Sequence, residues 1–236
     1  MSKLSPVHGG LDFPVNRVVA AGERVSFLEE ISNLPKKLAV SAADRSTFER
    51  IADGALSPLV GPMNEDVYKR VLEFSNIESK GEQYAWTIPF AFPMTDTEYA
   101  TIEVGDVVSV AHEGTLLGSL VVESKWSWDK VGYNTSVYGT DRIDHPGARI
   151  ALSDSRNYLC GGTIRALPIA KDPNIGAYVL SPVETRTLFA EKKYDRVVAF
   201  QTRNPLHRAH EELTKRATAK VDGVLLLHPV VGMTKP

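Results

Sequence analysis

The chain has 236 residues, of which 43% are hydrophobic, and a formal net charge of -2. This length is sufficient for one large or two smaller folded domains, and the charge excludes a broadly basic surface that would gather nucleic acid or anionic membrane. The sequence has no secretory signal and no apolar run near the ~20 residues of a membrane helix, and its one cysteine, Cys160, cannot form an intramolecular disulfide. We therefore expect a cytoplasmic globular protein with no nucleic-acid or membrane partner.

Two helices are predicted in the first part of the chain. Ser41 precedes a helical stretch over 42–52, and Asn64 precedes another over 65–74 that begins with acidic residues. Both Ser and Asn are good N-cap residues, and early acids suit the positive end of a helix. The apolar positions of the second stretch recur at helical spacing and are Val67, Val71 and Phe74. Both helices are expected to be amphipathic.

From Trp86 the pattern becomes that of β-structure. The β-branched runs Val107–His112 and Thr115–Glu123 flank Glu113-Gly114, which predicts a tight hairpin. Further turns are predicted at 103–106 and 129–132, so the close spacing of short strands indicates a small barrel-like sheet. Trp126 and Trp128 are two positions apart and are expected to share a strand face in the core or an interface.

A domain boundary is predicted within the turn-rich segment 171–176, giving domains 1–172 and 173–236. After it, Ser181-Pro182-Val183-Glu184 has the composition of a capping box, which predicts a helix to about residue 193. The following elements are predicted as strand 196–200, helix 205–220 and strand 223–228. This alternation is typical of a parallel α/β sheet.

A candidate site follows the first of these strands. Ligands of open α/β sheets lie beyond the carboxyl ends of the strands, and Gln201, Thr202, Arg203 and Asn204 occupy such an end. Asn204 is expected to cap the next helix, with Pro205 in its first turn. The helix N-terminus and the forked donors of Arg203 favour an oxyanion, while Gln201 and Thr202 offer neutral hydrogen-bonding groups.

Two histidines extend this candidate site. His207 and His210 are three residues apart, so both rings are expected on one face of the helix, close to the same anion. A surface or core pair is the alternative for an isolated motif of this kind. A metal site is a second alternative, yet no cysteine or acidic ligand has a suitable local spacing. Nucleotide phosphates therefore fit the two histidines better, and no protein-bound metal is predicted. Packing on the sheet is expected through Ala209, Leu213 and Ala217.

The run from Gln201 to His210, Gln-Thr-Arg-Asn-Pro-Leu-His-Arg-Ala-His, resembles the signature of the ATP sulfurylase (sulfate adenylyltransferase) family. Further segments resemble other motifs of that family, so the resemblance spans essentially the whole chain. These segments are Pro6–Gly10, Asp53–Met63, Asp144–Gly147 and Leu227–Pro236.

The resemblance implies a PUA-like β-barrel domain followed by an incomplete Rossmann-like nucleotidyltransferase domain, an α+β and α/β combination. It implies that MgATP and sulfate react to give adenosine 5'-phosphosulfate and pyrophosphate, reversibly, with Mg2+ carried by ATP. By position in the motif, Gln201 and Arg203 would hold sulfate. All six site residues would face the nucleotide: these two together with Thr202, Asn204, His207 and His210. The catalytic residues would be Thr202, Arg203, Asn204, His207 and His210.

The resemblance also implies a homo-oligomer for the full-length enzyme, and a later Gly-Arg-Asp-His-type loop that completes the site and is not among these residues. Two rival hypotheses remain open: another adenylyltransferase with the His-x-x-His motif, and a non-catalytic binding or assembly module. The sequence leaves open the direction of the reaction, in sulfate assimilation or in ATP formation, and the presence of a fused kinase for adenosine phosphosulfate.

Overall fold

The structure is a computed structural model that describes residues 4–230, and the chain divides into two compact units. The larger unit is Val7–Pro182, and the smaller comprises Met1–Pro6 and Val183–Pro236. The predicted boundary after residue 172 remains a prediction. Among the described residues, no helix is both long enough and apolar enough to cross a membrane.

The described strands of the larger unit are β1 Lys37–Ala39, β2 Asn76–Ser79, β3 Glu82–Ala85, β4 Phe92–Met94, β5 Val107–His112, β6 Thr115–Ser127 and β7 Tyr158–Ala166. Its α-helices are α1 Arg24–Ser32, α2 Ala42–Ala52, α3 Glu65–Phe74, α4 Asp96–Thr101, α5 Lys130–Tyr138 and α6 Pro146–Ser153. Short 3-10 helices cover Ala21–Glu23 and Gly176–Tyr178.

Five of these strands form a curled half-barrel sheet in the order β1-β5-β6-β7-β4. Its pairings are antiparallel except that β1 runs parallel to β5, and β2 and β3 form a separate hairpin. One core cluster joins the sheet to α2 and α3, and its fully buried members include Phe48, Ile51, Val71, Leu120 and Ile164. This apolar burial is the main stabilising contribution to the larger unit.

The predicted β5–β6 hairpin is confirmed, with Ser109 opposite Ser119. Glu113 and Gly114 have φ values of 46° and 79°, so both turn residues are left-handed, as the right-handed twist of a two-residue hairpin requires. β6 continues to Ser127 because it also pairs with β7 over nine register positions. Trp126 therefore lies on the strand and is buried, whereas Trp128 lies just beyond it and packs against the same core.

The predicted starts of α2 and α3 are confirmed. The Ser41 hydroxyl accepts from the Asp44 N–H at 3.2 Å, and the Asn64 Oδ1 accepts from the Val67 N–H at 3.0 Å. Phe74 is 56% exposed, because α3 ends there and its buried face instead carries Tyr68 with Val71.

The prediction of a turn at 129–132 is wrong. Asp129 is instead the N-cap of α5, and its carboxylate accepts from the Gly132 N–H at 2.9 Å. A short acidic side chain suits both roles, since an Asx turn and a helix N-cap use the same local hydrogen bond.

The smaller unit contains the end of the described chain. Its elements are α7 Pro182–Glu191, whose first residue belongs to the larger unit, β8 Val197–Thr202, α8 Arg208–Val221 and β9 Val224–Pro229. The helix start at Pro182 and the parallel pairing of β8 with β9 are as predicted. Residues 231–236, the last part of the Leu227–Pro236 motif, lie outside the described residues.

Candidate functional site

The first part of the candidate site is the end of β8. The strand was predicted to end at Phe200 but continues to Thr202, because Gln201 pairs with His228 and Thr202 with Pro229 in the parallel register. The Val230 N–H donates to the Thr202 carbonyl at 2.8 Å and extends this ladder. Gln201 and Thr202 are therefore held by strand pairing rather than by a loop.

The Thr202 hydroxyl organises the residues after the strand. It accepts from the Asn204 N–H at 3.1 Å and donates to the Asn204 carbonyl at 2.9 Å. Such side-chain bonds to the backbone two residues on are typical of Ser/Thr turns. The turn leaves Arg203 at its exposed apex, where the guanidinium makes no ion pair or hydrogen bond with any described residue.

Helix α8 begins later than predicted. Its N-cap is His207 in an extended conformation, with φ -126° and ψ 172°, and the ring Nδ1 accepts from the Ala209 N–H at 3.3 Å. The prediction that Asn204 caps the helix and Pro205 starts it is wrong. In the structure the Asn204 backbone instead takes part in the turn with the Thr202 hydroxyl, and the helix begins only after His207.

His207 and His210 do come together, as their spacing predicts. Their ring centroids are 3.9 Å apart with an interplanar angle of 29°, a stacked arrangement. On its other side, the His210 ring lies 5.3 Å from the Phe200 ring. The His210 Nδ1 is buried and has no hydrogen-bond partner in the described part of the chain. Phe200, which the sequence indicated only as a strand residue, is thus part of the site's support.

The buried face of α8 differs from the predicted one. Thr214 is buried and its hydroxyl donates to the His210 carbonyl at 2.9 Å, whereas Leu213 is 57% exposed. Because the helix carries His210 and Thr214 toward the strands, the expected stripe of Ala209, Leu213 and Ala217 is rotated away from the sheet, and only Ala217 is half-buried.

The charges around the site are mainly positive. Arg203 and Arg208 are exposed at the turn and the helix start, while the nearest acids on α8 are paired within the helix. Glu211 contacts Lys215 at 2.5 Å and Glu212 contacts Arg216 at 2.7 Å. The hydrogen bond from Lys215 lowers the pKa of Glu211. No unpaired carboxylate on the adjacent helix would therefore repel an anion at the turn.

Within residues 4–230, the site offers no protein ligand set for a metal. None of its six predicted residues is a carboxylate, and the described residues contain no group of three or more His, Cys, Asp or Glu able to hold an ion. The donor set instead suits phosphate or sulfate oxygens.

The site residues are brought together to different degrees. Thr202 and Asn204 are joined by hydrogen bonds, and His207 and His210 by ring stacking. Gln201 and Arg203 adjoin them in the chain and are exposed. The individual ligand roles of these residues remain predictions.

Two family models match the chain. A PUA-like domain model matches residues 5–168, and an ATP-sulfurylase model matches residues 176–236. Among curated proteins, a sulfate adenylyltransferase of Pyropia yezoensis is 43% identical over 100% of this chain. One of Trichodesmium erythraeum is 36% identical over 98%. The chain spans 56% and 58% of the lengths of these two relatives.

One solved structure with a similar fold is described as a hexameric APS kinase from Thiobacillus denitrificans. The match covers 98% of this chain and 40% of that protein's chain, with a TM-score of 0.73 and 24% identity. At that identity the likeness shows the fold alone, and it agrees with the predicted fold, a PUA-like domain followed by an incomplete Rossmann-like domain. The chain therefore belongs to the PUA-like domain family, its residues 176–236 match the ATP-sulfurylase model, and it spans an N-terminal portion of the sulfate adenylyltransferases to which it is similar.

Proposed function

We propose that the whole protein transfers the adenylyl group of ATP to sulfate. The observation that carries this proposal is the stacked His207 and His210 pair, which lies directly after the exposed Arg203 turn at the carboxyl end of a parallel strand. This position is where α/β sheets bind nucleotides, and the donors there suit two anions held close together. The names of the relatives, sulfate adenylyltransferases, support the same substrates.

In the proposed reaction, a sulfate oxygen attacks the α-phosphorus of ATP, and the bond from that phosphorus to the bridging oxygen of pyrophosphate breaks. Sulfate is already ionised at neutral pH, so no general base is needed. The main obstacle is the approach of two anions, which positioning and charge neutralisation relieve.

Each site residue has a proposed role that suits its chemistry. Arg203 presents a planar fork to sulfate, and Gln201 adds a neutral donor beside it. His207 and His210 donate to the phosphates, whose negative charge increases on the leaving pyrophosphate. The Thr202 hydroxyl, being bonded to the Asn204 backbone, contributes by holding the turn in shape as well as by facing the nucleotide.

The proposal also includes a metal, a compartment and an oligomeric state. Magnesium enters with ATP as part of the substrate, where it neutralises phosphate charge. The full-length protein acts in the cytoplasm, where a lone thiol stays reduced, and assembles as a homo-oligomer. The similar solved protein is described as hexameric.

The test is sulfate-dependent release of pyrophosphate from MgATP. It compares this chain with a chimera that carries, after Pro236, the remaining sequence of the Pyropia yezoensis relative. Activity that requires sulfate in the chimera supports the proposal. Release that depends on a different acceptor would indicate another adenylyltransferase, and inactivity with every acceptor, together with specific RNA binding at physiological salt, would indicate a binding module.

A further inference from the structure

A groove lies between helices α3 and α5 of the larger unit, beside the end of strand β6. Its volume is about 440 Å3, a size typical of sites for small ligands. The Ser136 hydroxyl donates to the Leu72 carbonyl at 2.5 Å and ties α5 to the end of α3. The groove is therefore bounded by elements of the folded unit that are joined to each other.

Three aromatic side chains line this groove: Tyr68, Trp126 and Tyr133. The Tyr68 ring lies 5.4 Å from the Trp126 ring at an interplanar angle of 62°, and 6.4 Å from the Tyr133 ring. The face of an aromatic ring carries negative charge density and attracts a cation. The chain uses this attraction next to the groove, where the Lys130 ammonium lies 5.3 Å from the centroid of the Trp128 ring. No cation of residues 4–230 lies over the three rings of the groove itself.

The charged residues of the lining also favour a positive ligand. Glu73 and Asp129 form no ion pair with any described residue, whereas the Lys69 ammonium pairs with Glu65 at 2.7 Å. The Asp129 Oδ1 accepts from the Gly132 N–H at 2.9 Å, which leaves the other carboxylate oxygen without a donor in the described chain. The lining therefore has two carboxylates available to a cation, while its one lysine is neutralised by an acid outside the groove.

A buried hydroxyl of the lining has no partner. Tyr68 is 5% exposed, and its hydroxyl makes no hydrogen bond within the described part of the chain. The neighbouring Trp128 N–H is also buried and lies outside hydrogen-bond geometry. Burial raises the pKa of Tyr68, so the phenol stays neutral at ordinary pH. Its oxygen is therefore available to an N–H or O–H group of a ligand.

We propose that this groove binds a small organic ammonium ion, with its alkyl groups against the aromatic rings and its positive charge near Glu73 and Asp129. A metal ion fits less well, because the described residues contain no group of three or more side chains able to hold one. A neutral apolar molecule would leave the two carboxylates unused. The inference is independent of the proposed function, since every residue that carries it belongs to the larger unit.

Choline is the probe for such an ion, and its neutral counterpart is the alcohol in which a carbon atom replaces the nitrogen. Each is titrated into the full chain, and 1H–15N NMR spectra follow the Trp126 indole N–H and the Gly132 amide. Choline should produce saturable shifts at both positions. The neutral alcohol should bind about tenfold more weakly, because it lacks the attraction to the rings and the carboxylates. Potassium chloride at the same concentration should produce neither shift.

Substitutions test the rings and the carboxylates separately. Tyr133→Leu keeps an apolar side chain but removes a ring, so it should weaken choline binding about threefold or more. Asp129→Asn removes a charge but keeps a good N-cap for α5, and Glu73→Gln removes a charge at nearly constant size. Combined, these two should weaken choline binding about fivefold and leave binding of the neutral alcohol and the free energy of unfolding unchanged. The matched control is Asp66→Asn, which removes one charge from an exposed position of α3 outside the groove and should change neither affinity.

Three results would overturn the inference: no saturable shift with choline, equal affinity for choline and the neutral alcohol, or wild-type choline affinity in the combined Asp129→Asn and Glu73→Gln variant. Equal affinities would show that the groove selects only for apolar shape. Shifts that potassium chloride reproduces would also overturn it, since they would show a salt effect at the carboxylates and no site for an organic ion.

Discussion

Gly161 in β7 lies where two backbone segments approach closely. A Cβ at this position would be 1.8 Å from the Met63 carbonyl oxygen and 2.7 Å from the Asn64 nitrogen. Neither atom can yield easily, because the Met63 N–H donates to the Phe90 carbonyl at 2.7 Å and Asn64 caps α3. Overpacking typically costs about 1–3 kcal/mol where side chains adjust, so Gly161→Ala should cost at least about 3 kcal/mol against backbone.

Chemical unfolding followed by tryptophan fluorescence measures this loss, because all three tryptophans of the chain lie in the larger unit. Gly22→Ala is the matched control, since no heavy atom lies within 4 Å of a Cβ placed there. It should change the free energy of unfolding by less than about 0.5 kcal/mol. A Gly161→Ala protein within about 1 kcal/mol of the wild type would refute the reasoning, since such a clash exceeds ordinary overpacking.

Three further predictions concern the site, acid stability and the thiol. Arg203→Ala should lower sulfate-dependent pyrophosphate release by the chimera about 100-fold or more without changing its free energy of unfolding. Arg216→Ala, the control, should leave pyrophosphate release unaltered. Normal turnover of the Arg203 variant would contradict the proposed sulfate contact. Although burial alone would raise the pKa of Asp154, hydrogen bonds from Arg156 hold it below its ordinary value of 3.8. The stabilisation of the folded state by the Asp154–Arg156 pair is therefore complete above that pH and is lost as pH falls through the lower folded-state pKa. In a plot of the free energy of unfolding against pH, Asp154→Asn should therefore flatten the acidic side. An unchanged acidic side would count against this pairing. Burial raises the pKa of the Cys160 thiol, so a thiol reagent should label it only after unfolding, and stoichiometric labelling of the folded chain would show that it is accessible.

The sequence predicts best those features whose hydrogen bonds are local. Ser41 and Asn64 cap their helices as expected, and Glu113-Gly114 forms the expected hairpin turn, because each signal and its partner lie within a few residues. The parallel alternation of the smaller unit was also predictable, since apolar strand runs and amphipathic helices differ in apolar period. The strands, expected to be buried, are half-buried or exposed in the described residues.

Some of the errors arise where distant backbone decides the outcome. β8 extends through Thr202 only because β9 supplies partners there, and β1 joins the sheet through Ser109, far along the chain from Lys37. The late start of α8 is a local error. Asn204 is a good cap by composition, but it lies in the Thr202 turn and His207 caps the helix instead, and no periodicity signal distinguishes these outcomes.

The family motifs divide into those that folding explains and one that it does not. A Cβ at Gly10 would meet the Tyr84 hydroxyl at 2.3 Å, and one at Gly61 would meet the Gly162 carbonyl at 1.8 Å. His145 caps α6. These identities follow from close packing and capping in the larger unit, so changing them should reduce stability before it affects any ligand.

The motif from Gln201 to His210 is different, because most of its side chains are exposed and few of them pack against anything. Thr202 and His207 organise the turn and the helix start, but neither bond requires an arginine between them. Folding of the described residues therefore leaves the identity of Arg203 unexplained, and the anionic ligand that we propose would account for an exposed guanidinium in the same motif as two stacked imidazoles. The strongest argument for function thus comes from the residues that contribute least to the fold.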